Sequence, residues 1–135
     1  MPNILVVDDD RQIVDLVTEY LAGEGYTVIG VTEVHVALNK ASKFKPDLVI
    51  LDYHMPGGGG LELLKNLRQL TLTEDVPVLF LSATPKYEIL YNVIDTPLVA
   101  FLEKPIDFDK LNNAILELLN ESGAGPDANL PLIID

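Results

Sequence analysis

Short, wholly apolar runs that each stop at a charged or hydroxyl-bearing residue constrain this chain more than any other feature. Ile4-Leu5-Val6-Val7 ends in Asp8-Asp9-Asp10, and Leu48-Val49-Ile50-Leu51 ends in Asp52. Val78-Leu79-Phe80-Leu81 ends in Ser82, and Ala100-Phe101-Leu102 leads into Glu103-Lys104-Pro105. Thr27-Val28-Ile29-Gly30-Val31 is a weaker fifth run. Continuous apolar runs suit strands covered on both faces, as in a parallel sheet. Buried helical segments are the competing reading, but each run is too short for one, so strands are expected.

Helical periodicity fills the intervals. Ile13, Leu16, Val17, Tyr20 and Leu21 recur at helical spacing, and Gly23 and Gly25 end that segment. Val34, Ala37, Leu38 and Ala41 form a second stripe closed by Pro46, and Leu61, Leu64 and Leu67 begin a third after a run of glycines. Residues 86–94, between Pro85 and Pro97, form a fourth helical segment. Leu111, Ala114, Ile115, Leu118 and Leu119 form the fifth, with Asp107 or Asp109 placed to cap it. Five β-α units in strict alternation imply right-handed crossovers and a parallel sheet between two helical layers. Residues 1–120 are read as one domain. Residues 121–135, which open Glu121-Ser122-Gly123-Ala124-Gly125-Pro126-Asp127, are read as a linker or C-terminal tail.

Composition excludes several classes. The 135 residues carry 9 Lys+Arg against 21 Asp+Glu, a formal charge of −12, which disfavours direct nucleic-acid binding. Cysteine is absent, so disulfides and thiolate metal sites are excluded. No apolar run is long enough to cross a bilayer, and Met1-Pro2-Asn3 lacks the pattern of a signal peptide. A cytoplasmic location is expected.

In an open α/β sheet, ligands bind outside the carboxyl ends of the strands. Asp8, Asp9, Asp10, Asp52, Ser82 and Lys104 therefore converge on one rim. Two carboxylates about 4 Å apart repel by roughly 4 kcal/mol at an effective dielectric of about 20. A divalent cation such as Mg²⁺, which takes oxygen ligands and shares them with phosphate, relieves that repulsion. With no cysteine and only His35 and His54, zinc is poorly supported. Carboxylates, phosphate and Mg²⁺ suggest phosphoryl transfer to an aspartate nucleophile, with a lysine and a hydroxyl to hold phosphoryl oxygens. For any single one of these residues, a polar strand end facing solvent is the simpler reading. For all of them on successive strand ends, it is not.

These motifs resemble the receiver domain of two-component response regulators over roughly the first 120 residues. The resemblance rests on Ile4–Asp10, Leu51-Asp52-Tyr53-His54-Met55-Pro56, Gly60-Leu61-Glu62-Leu63-Leu64, Leu81-Ser82-Ala83 and Phe101-Leu102-Glu103-Lys104-Pro105. It implies a flavodoxin-like, doubly wound (βα)5 sandwich of sheet order 2-1-3-4-5. It also implies that Asp52 accepts a phosphoryl group from the phosphohistidine of a histidine kinase or phosphotransfer protein. Asp9 and Asp52 would ligate Mg²⁺ directly, the His54 carbonyl would be a third ligand, and Asp8 would act through water. Asp10 falls where the family often has a third acid. Lys104 would pair with the phosphoryl group, and Lys104-Pro105 would be cis. Ser82 would donate to a phosphoryl oxygen, and Phe101 would be the aromatic switch, altering the face of the fourth helix, fifth strand and fifth helix. That face would also serve a homodimer. The chain would be a signalling switch and not an enzyme, beyond its own phosphorylation and dephosphorylation.

Departures from the family pattern are local. Phe101 stands where tyrosine is commonest, and plain core packing is its alternative role. Ser82 replaces the commoner threonine. Gly57-Gly58-Gly59-Gly60 lacks the Lys-Ser/Thr ending of a P-loop, so a phosphate cradle is discounted. His54 and Thr84 occupy positions that tune dephosphorylation. Two other functions compete. One is a receiver-like interaction module that acts without phosphorylation. The other is an aspartate-nucleophile phosphohydrolase, disfavoured because the first-strand acids are consecutive and no cap domain fits.

Overall fold

The computed structural model describes residues 2–55, 59–83, 98–121 and 132–133. The apolar runs form β1 (Asn3–Val7), β2 (Thr27–Val31), β3 (Leu48–Leu51), β4 (Val78–Ser82) and β5 (Val99–Glu103). Between and after them lie α1 (Arg11–Gly23), α2 (Val34–Phe44), α3 (Gly59–Gln69) and α4 (Phe108–Glu121), the fifth helix expected from sequence. All strands are parallel, in the order β2-β1-β3-β4-β5, the flavodoxin-like arrangement. A two-residue β6 (Leu132–Ile133) continues the sheet beyond β5. The expected fourth helix, 86–94, lies outside the described residues, as do Thr84, Pro85 and Pro97.

Alternation along the strands builds two cores. Leu5, Val7, Val49, Leu51, Val78, Phe80, Val99 and Phe101 point to the face covered by α2 and α3. Ile4, Val6, Leu48, Ile50, Leu79, Leu81, Ala100 and Leu102 point to the face covered by α1 and α4. Neighbouring residues on each strand thus serve opposite faces, the period-2 geometry that makes an uninterrupted apolar run necessary.

Two helices sit slightly differently from the sequence reading. On α1 the buried stripe is Val14, Val17 and Leu21, and Leu16 is half exposed, because the helix rolls its Val14 side onto Gly30 of β2. A Cβ at Gly30 would come within 2.4 Å of Val14 Cγ1, so the absent side chain is what lets α1 approach. On α3 the stripe is Gly60, Leu63, Leu64 and Leu67, with Leu61 only partly buried, since the helix starts inside the glycine run. On α4 the expected Leu111, Ala114, Ile115 and Leu118 are buried, and Asp107 is the cap. Its Oδ1 accepts from Asp109 N at 3.0 Å and Lys110 N at 3.2 Å.

Candidate functional site: an acidic rim with one half-buried lysine

Strand register carries the site residues to one rim. The Asp52 amide donates to the Val7 carbonyl at 2.9 Å, so β3 delivers Asp52 beside the end of β1. The Lys104 amide donates to the Ser82 carbonyl at 2.9 Å, which fixes the turn after β5 against the end of β4. Lys104-Pro105 is cis, as expected.

Asp8 and Asp52 are buried, at 2% and 7% exposure, and Ser82 is equally enclosed at 2%. Lys104 Nζ donates to Asp8 Oδ2 at 2.8 Å and lies 3.7 Å from Asp52 Oδ1. One ammonium thus bridges two buried carboxylates, with exposed Asp9 at the mouth. Burial first, and then the negative charge of Asp8, push the Asp52 carboxyl up to about 6, while Lys104 and the His54 backbone N–H oppose that shift. Burial alone would lower the Lys104 ammonium. The hydrogen bond to Asp8 and the charges of Asp52 and Asp8 together outweigh it, and the net direction is upward.

Asp8, Asp9 and Asp52 each offer one carboxylate oxygen, all within 4.8 Å of one another. An all-oxygen set with excess negative charge fits a hard divalent cation. The like charge of Asp8 and Asp9 adds to burial in raising the Asp52 carboxyl, and a cation would offset that part.

Asp10 has a different task from its neighbours. Its Oδ1 accepts from Gln12 N at 2.9 Å, which makes it the N-cap of α1, and its own amide donates to Asp8 Oδ1 at 2.9 Å. An acid directly before a helical stripe was the available sequence signal for this role. The His54 side chain is exposed and meets Tyr53 edge-on, with ring centroids 5.1 Å apart; its contact with Asp52 is through the backbone N–H. Phe101 is buried and stacks on Phe80, centroids 5.8 Å apart and planes 10° apart, and Tyr53 meets Phe80 edge-on at 5.6 Å. A ring column therefore runs from the residue after Asp52 into the core.

Gly60 is a constraint that the motif alone did not disclose. A Cβ there would lie 2.3 Å from the Asp52 carbonyl oxygen, and the Gly60 amide donates to the Tyr53 carbonyl at 2.8 Å. The start of α3 is seated directly on the backbone of the central aspartate.

Residues 4–116 match the response regulator receiver domain family. The phosphate regulon transcriptional regulatory protein PhoB of Escherichia coli is 31% identical over 102 residues, 76% of this chain and 44% of that protein. The alkaline phosphatase synthesis transcriptional regulatory protein PhoP of Bacillus subtilis is 38% identical over 121 residues, 88% of this chain and 49% of that protein. The chain thus spans about half the length of these curated relatives. Among solved structures, the chemotaxis protein CheY4 of Vibrio cholerae superposes with a TM-score of 0.82 at 28% identity, covering 87% of this chain and 98% of that one. The response regulator TrrA of Thermotoga maritima, solved in complex with Mg²⁺-BeF, superposes with a TM-score of 0.74 at 32% identity, covering 87% and 99%. Strand order, rim chemistry and these likenesses agree: the chain belongs to the response regulator receiver domain family, whose members are signalling switches.

Proposed function

We propose that Asp52 is the phosphoacceptor of a two-component response regulator, charged by the phosphohistidine of a histidine kinase or phosphotransfer protein in a Mg²⁺-dependent reaction. The observation that carries this reading is the placement of Asp52, buried beside Asp8 and Asp9 and within 3.7 Å of the Lys104 ammonium. Asp8, Asp9, Asp52 and the backbone carbonyl of His54 would hold the ion. When bound, Mg²⁺ supplies charge that neutralises the carboxylates and the phosphoryl oxygens. The complex of TrrA with Mg²⁺-BeF, at 32% identity, supports that assignment by likeness.

The residues of this chain divide the remaining work. An Asp52 carboxylate oxygen forms the new O–P bond as the N–P bond to the donor imidazole breaks, leaving the imidazole with the electron pair. Lys104, already held by Asp8, supplies a point charge for a phosphoryl oxygen. Ser82, enclosed at the end of β4, donates its hydroxyl to another. Its movement toward the phosphoryl group opens space for Phe101 to rotate, which alters the face around β5. That face would pass the signal on and serve a homodimer. Hydrolysis of the acyl phosphate resets Asp52, so the chain catalyses only its own phosphorylation and dephosphorylation. The acidic surface supports partners other than nucleic acid for this segment, and the lack of cysteine is in keeping with the cytoplasm. Residues 1–120 would form the receiver unit, with 121–135 as linker or tail.

Incubation with acetyl phosphate and Mg²⁺, followed by intact mass measurement, tests the proposal. A single phosphoryl adduct on the wild type that is absent from Asp52→Asn is expected. An undiminished adduct on Asp52→Asn, or none on the wild type, refutes it.

A further inference from the structure

The β5 edge is occupied in an unusual way. In a (βα)5 sheet of this order β5 is terminal, and its outer N–H and C=O groups form a template for another strand. Here Leu132 and Ile133 pair with Ala100 and Phe101, in parallel. The segment Leu130-Pro131-Leu132-Ile133-Ile134 is apolar and follows a stretch of small and polar residues.

Chirality separates this strand from the rest of the sheet. The β3-α3-β4 unit steps toward the β5 edge with α3 on one face of the sheet. The β5-α4-β6 unit steps in the same direction, but α4 lies on the opposite face. The two crossovers therefore have opposite hands. The β1-α1-β2 unit steps the other way with α1 on the α4 face, and β2-α2-β3 steps toward β5 with α2 on the α3 face. Both share the hand of β3-α3-β4. Parallel crossovers are right-handed in about 98% of cases, because strand twist feeds the helix back onto the sheet only that way. The β5-α4-β6 connection gains nothing from that coupling, and its ladder spans two of the five residues of β5. Two ladder pairs with β5 hold it on the edge.

From this we propose that the outer edge of β5 is a strand-addition surface, and that Leu132–Ile133 is its displaceable resident, a strap that keeps a second copy of this chain off that edge. The occupant is the chain's own segment, tethered through residues 122–131 and so held at a high local concentration. The strap lies against Phe101, the residue proposed above to move with the phosphorylation state. Its consequence for association rests on the proposed homodimer face, whereas its presence on the edge does not.

The test uses the full 135-residue chain without phosphodonor. In a parallel ladder a given residue turns its N–H either toward or away from its neighbour, so both positions are changed together, Leu132→Pro with Ile133→Pro. Amide hydrogen exchange is read at the β5 amides that do not bond to β4, and association by sedimentation equilibrium. At least tenfold faster exchange at those amides, and at least tenfold tighter self-association, are expected in the double proline variant. A second variant, Leu132→Gly with Ile133→Gly, keeps both donors while weakening strand propensity and should fall between the two. Equal exchange in wild type and proline variant shows that no strap is present and overturns the proposal. Faster exchange with unchanged association overturns the exclusion of a second copy. Wild-type protection that disappears on dilution assigns the edge to another copy's strand and overturns the cis strap. A missing phosphoryl adduct on Asp52 refutes the phosphoacceptor reading and moves neither of these readouts.

Discussion

The two ends of the sheet solve opposite problems. At the amino-terminal end, side chains mostly bond to nearby backbone groups. The Asn3 amide donates to Asp47 Oδ2 at 2.7 Å, Asn3 Nδ2 donates to the Phe44 carbonyl at 3.2 Å, and Thr73 Oγ1 donates to the Leu67 carbonyl at 2.7 Å. Arg68 reaches over the same loop to the Val76 carbonyl at 2.6 Å. Burial drops its guanidinium to about 10, against an opposing pull from Asp75. At the carboxyl rim, two buried acids share one ammonium and a third acid lies at the mouth, and burial first, then the charge of Asp8, lifts the Asp52 carboxyl to about 6. Side chains tied to backbone groups mark the end that only has to be stable. Charge imbalance marks the end proposed above to take up a cation and a phosphoryl group.

The sharpest way to break this contrast is to push on the rim's backbone. Gly60→Ala would set a Cβ 2.3 Å from the Asp52 carbonyl oxygen, and the neighbouring atom is backbone, which cannot swing aside. A loss of roughly 3 kcal/mol or more in urea unfolding is expected. Gly23→Ala is the matched control: nothing lies within 4 Å of its Cβ, and it sits in α1. There a gain of about 0.5 kcal/mol is expected.

A smaller effect separates cost from function at one residue. The folded-state carboxyl of Asp52 is raised from 3.8 to about 6. A raised carboxyl stabilises the fold below the unfolded value and loses that contribution as pH climbs through the folded one. In the absence of divalent ions, wild type should therefore weaken between about pH 4 and pH 6 relative to Asp52→Asn. By pH 8 the variant should be the more stable by about 2 kcal/mol, and the two should converge near pH 3. Adding Mg²⁺ at pH 8 should narrow the gap by stabilising the wild type. Chemical denaturation across pH checks all three limbs, and a gap that does not change with pH would exclude Asp52 as the strained group.

Thr73→Val tests the opposite end. It removes a buried hydroxyl while keeping the volume, leaving the Leu67 carbonyl without its 2.7 Å donor. About 1–2 kcal/mol of stability should be lost, with no change in the amount of phosphoryl adduct on Asp52. A change in the adduct would show that the two ends are coupled.

Much of this contrast was legible in the residues. Each apolar run reads as a buried parallel strand because both faces are covered, and the rim then follows from topology, since parallel strands all end on the same side. That argument places Asp8, Asp52, Ser82 and Lys104 without coordinates. Helix rotation was less legible. Leu16 and Leu61 fit a 3.6-residue stripe as well as Val14 and Leu63 do, and only the close approach at Gly30 and Gly60 decides which side turns inward. The partner of Lys104 was hidden for another reason. Sequence shows one ammonium near several acids, but the 2.8 Å bond to Asp8, against 3.7 Å to Asp52, depends on side-chain packing at the ends of β1 and β5. Strand β6 was illegible because a two-residue ladder has no periodicity to detect.

The least perturbing substitution sharpens the comparison by using the same charge type at the same rim. Arg11 begins α1 directly after Asp10, and its Nη1 lies 3.7 Å from Asp15 Oδ1, with both side chains about two-thirds exposed. Exposed pairs at i, i+4 contribute only about 0.3–0.5 kcal/mol, and a cation in the first turn opposes the helix dipole by a similar amount. The two effects have opposite signs, so Arg11→Ala should leave the unfolding midpoint within about 0.5 kcal/mol of wild type. Raising the salt concentration should shrink even that difference. Lys104 carries the same formal charge, yet it is mostly enclosed and bonded to an acid that is 2% exposed. If Arg11→Ala cost more than about 1 kcal/mol, rim stability would depend on the total positive charge nearby. A near-zero result would confine it to the one ammonium that reaches inside.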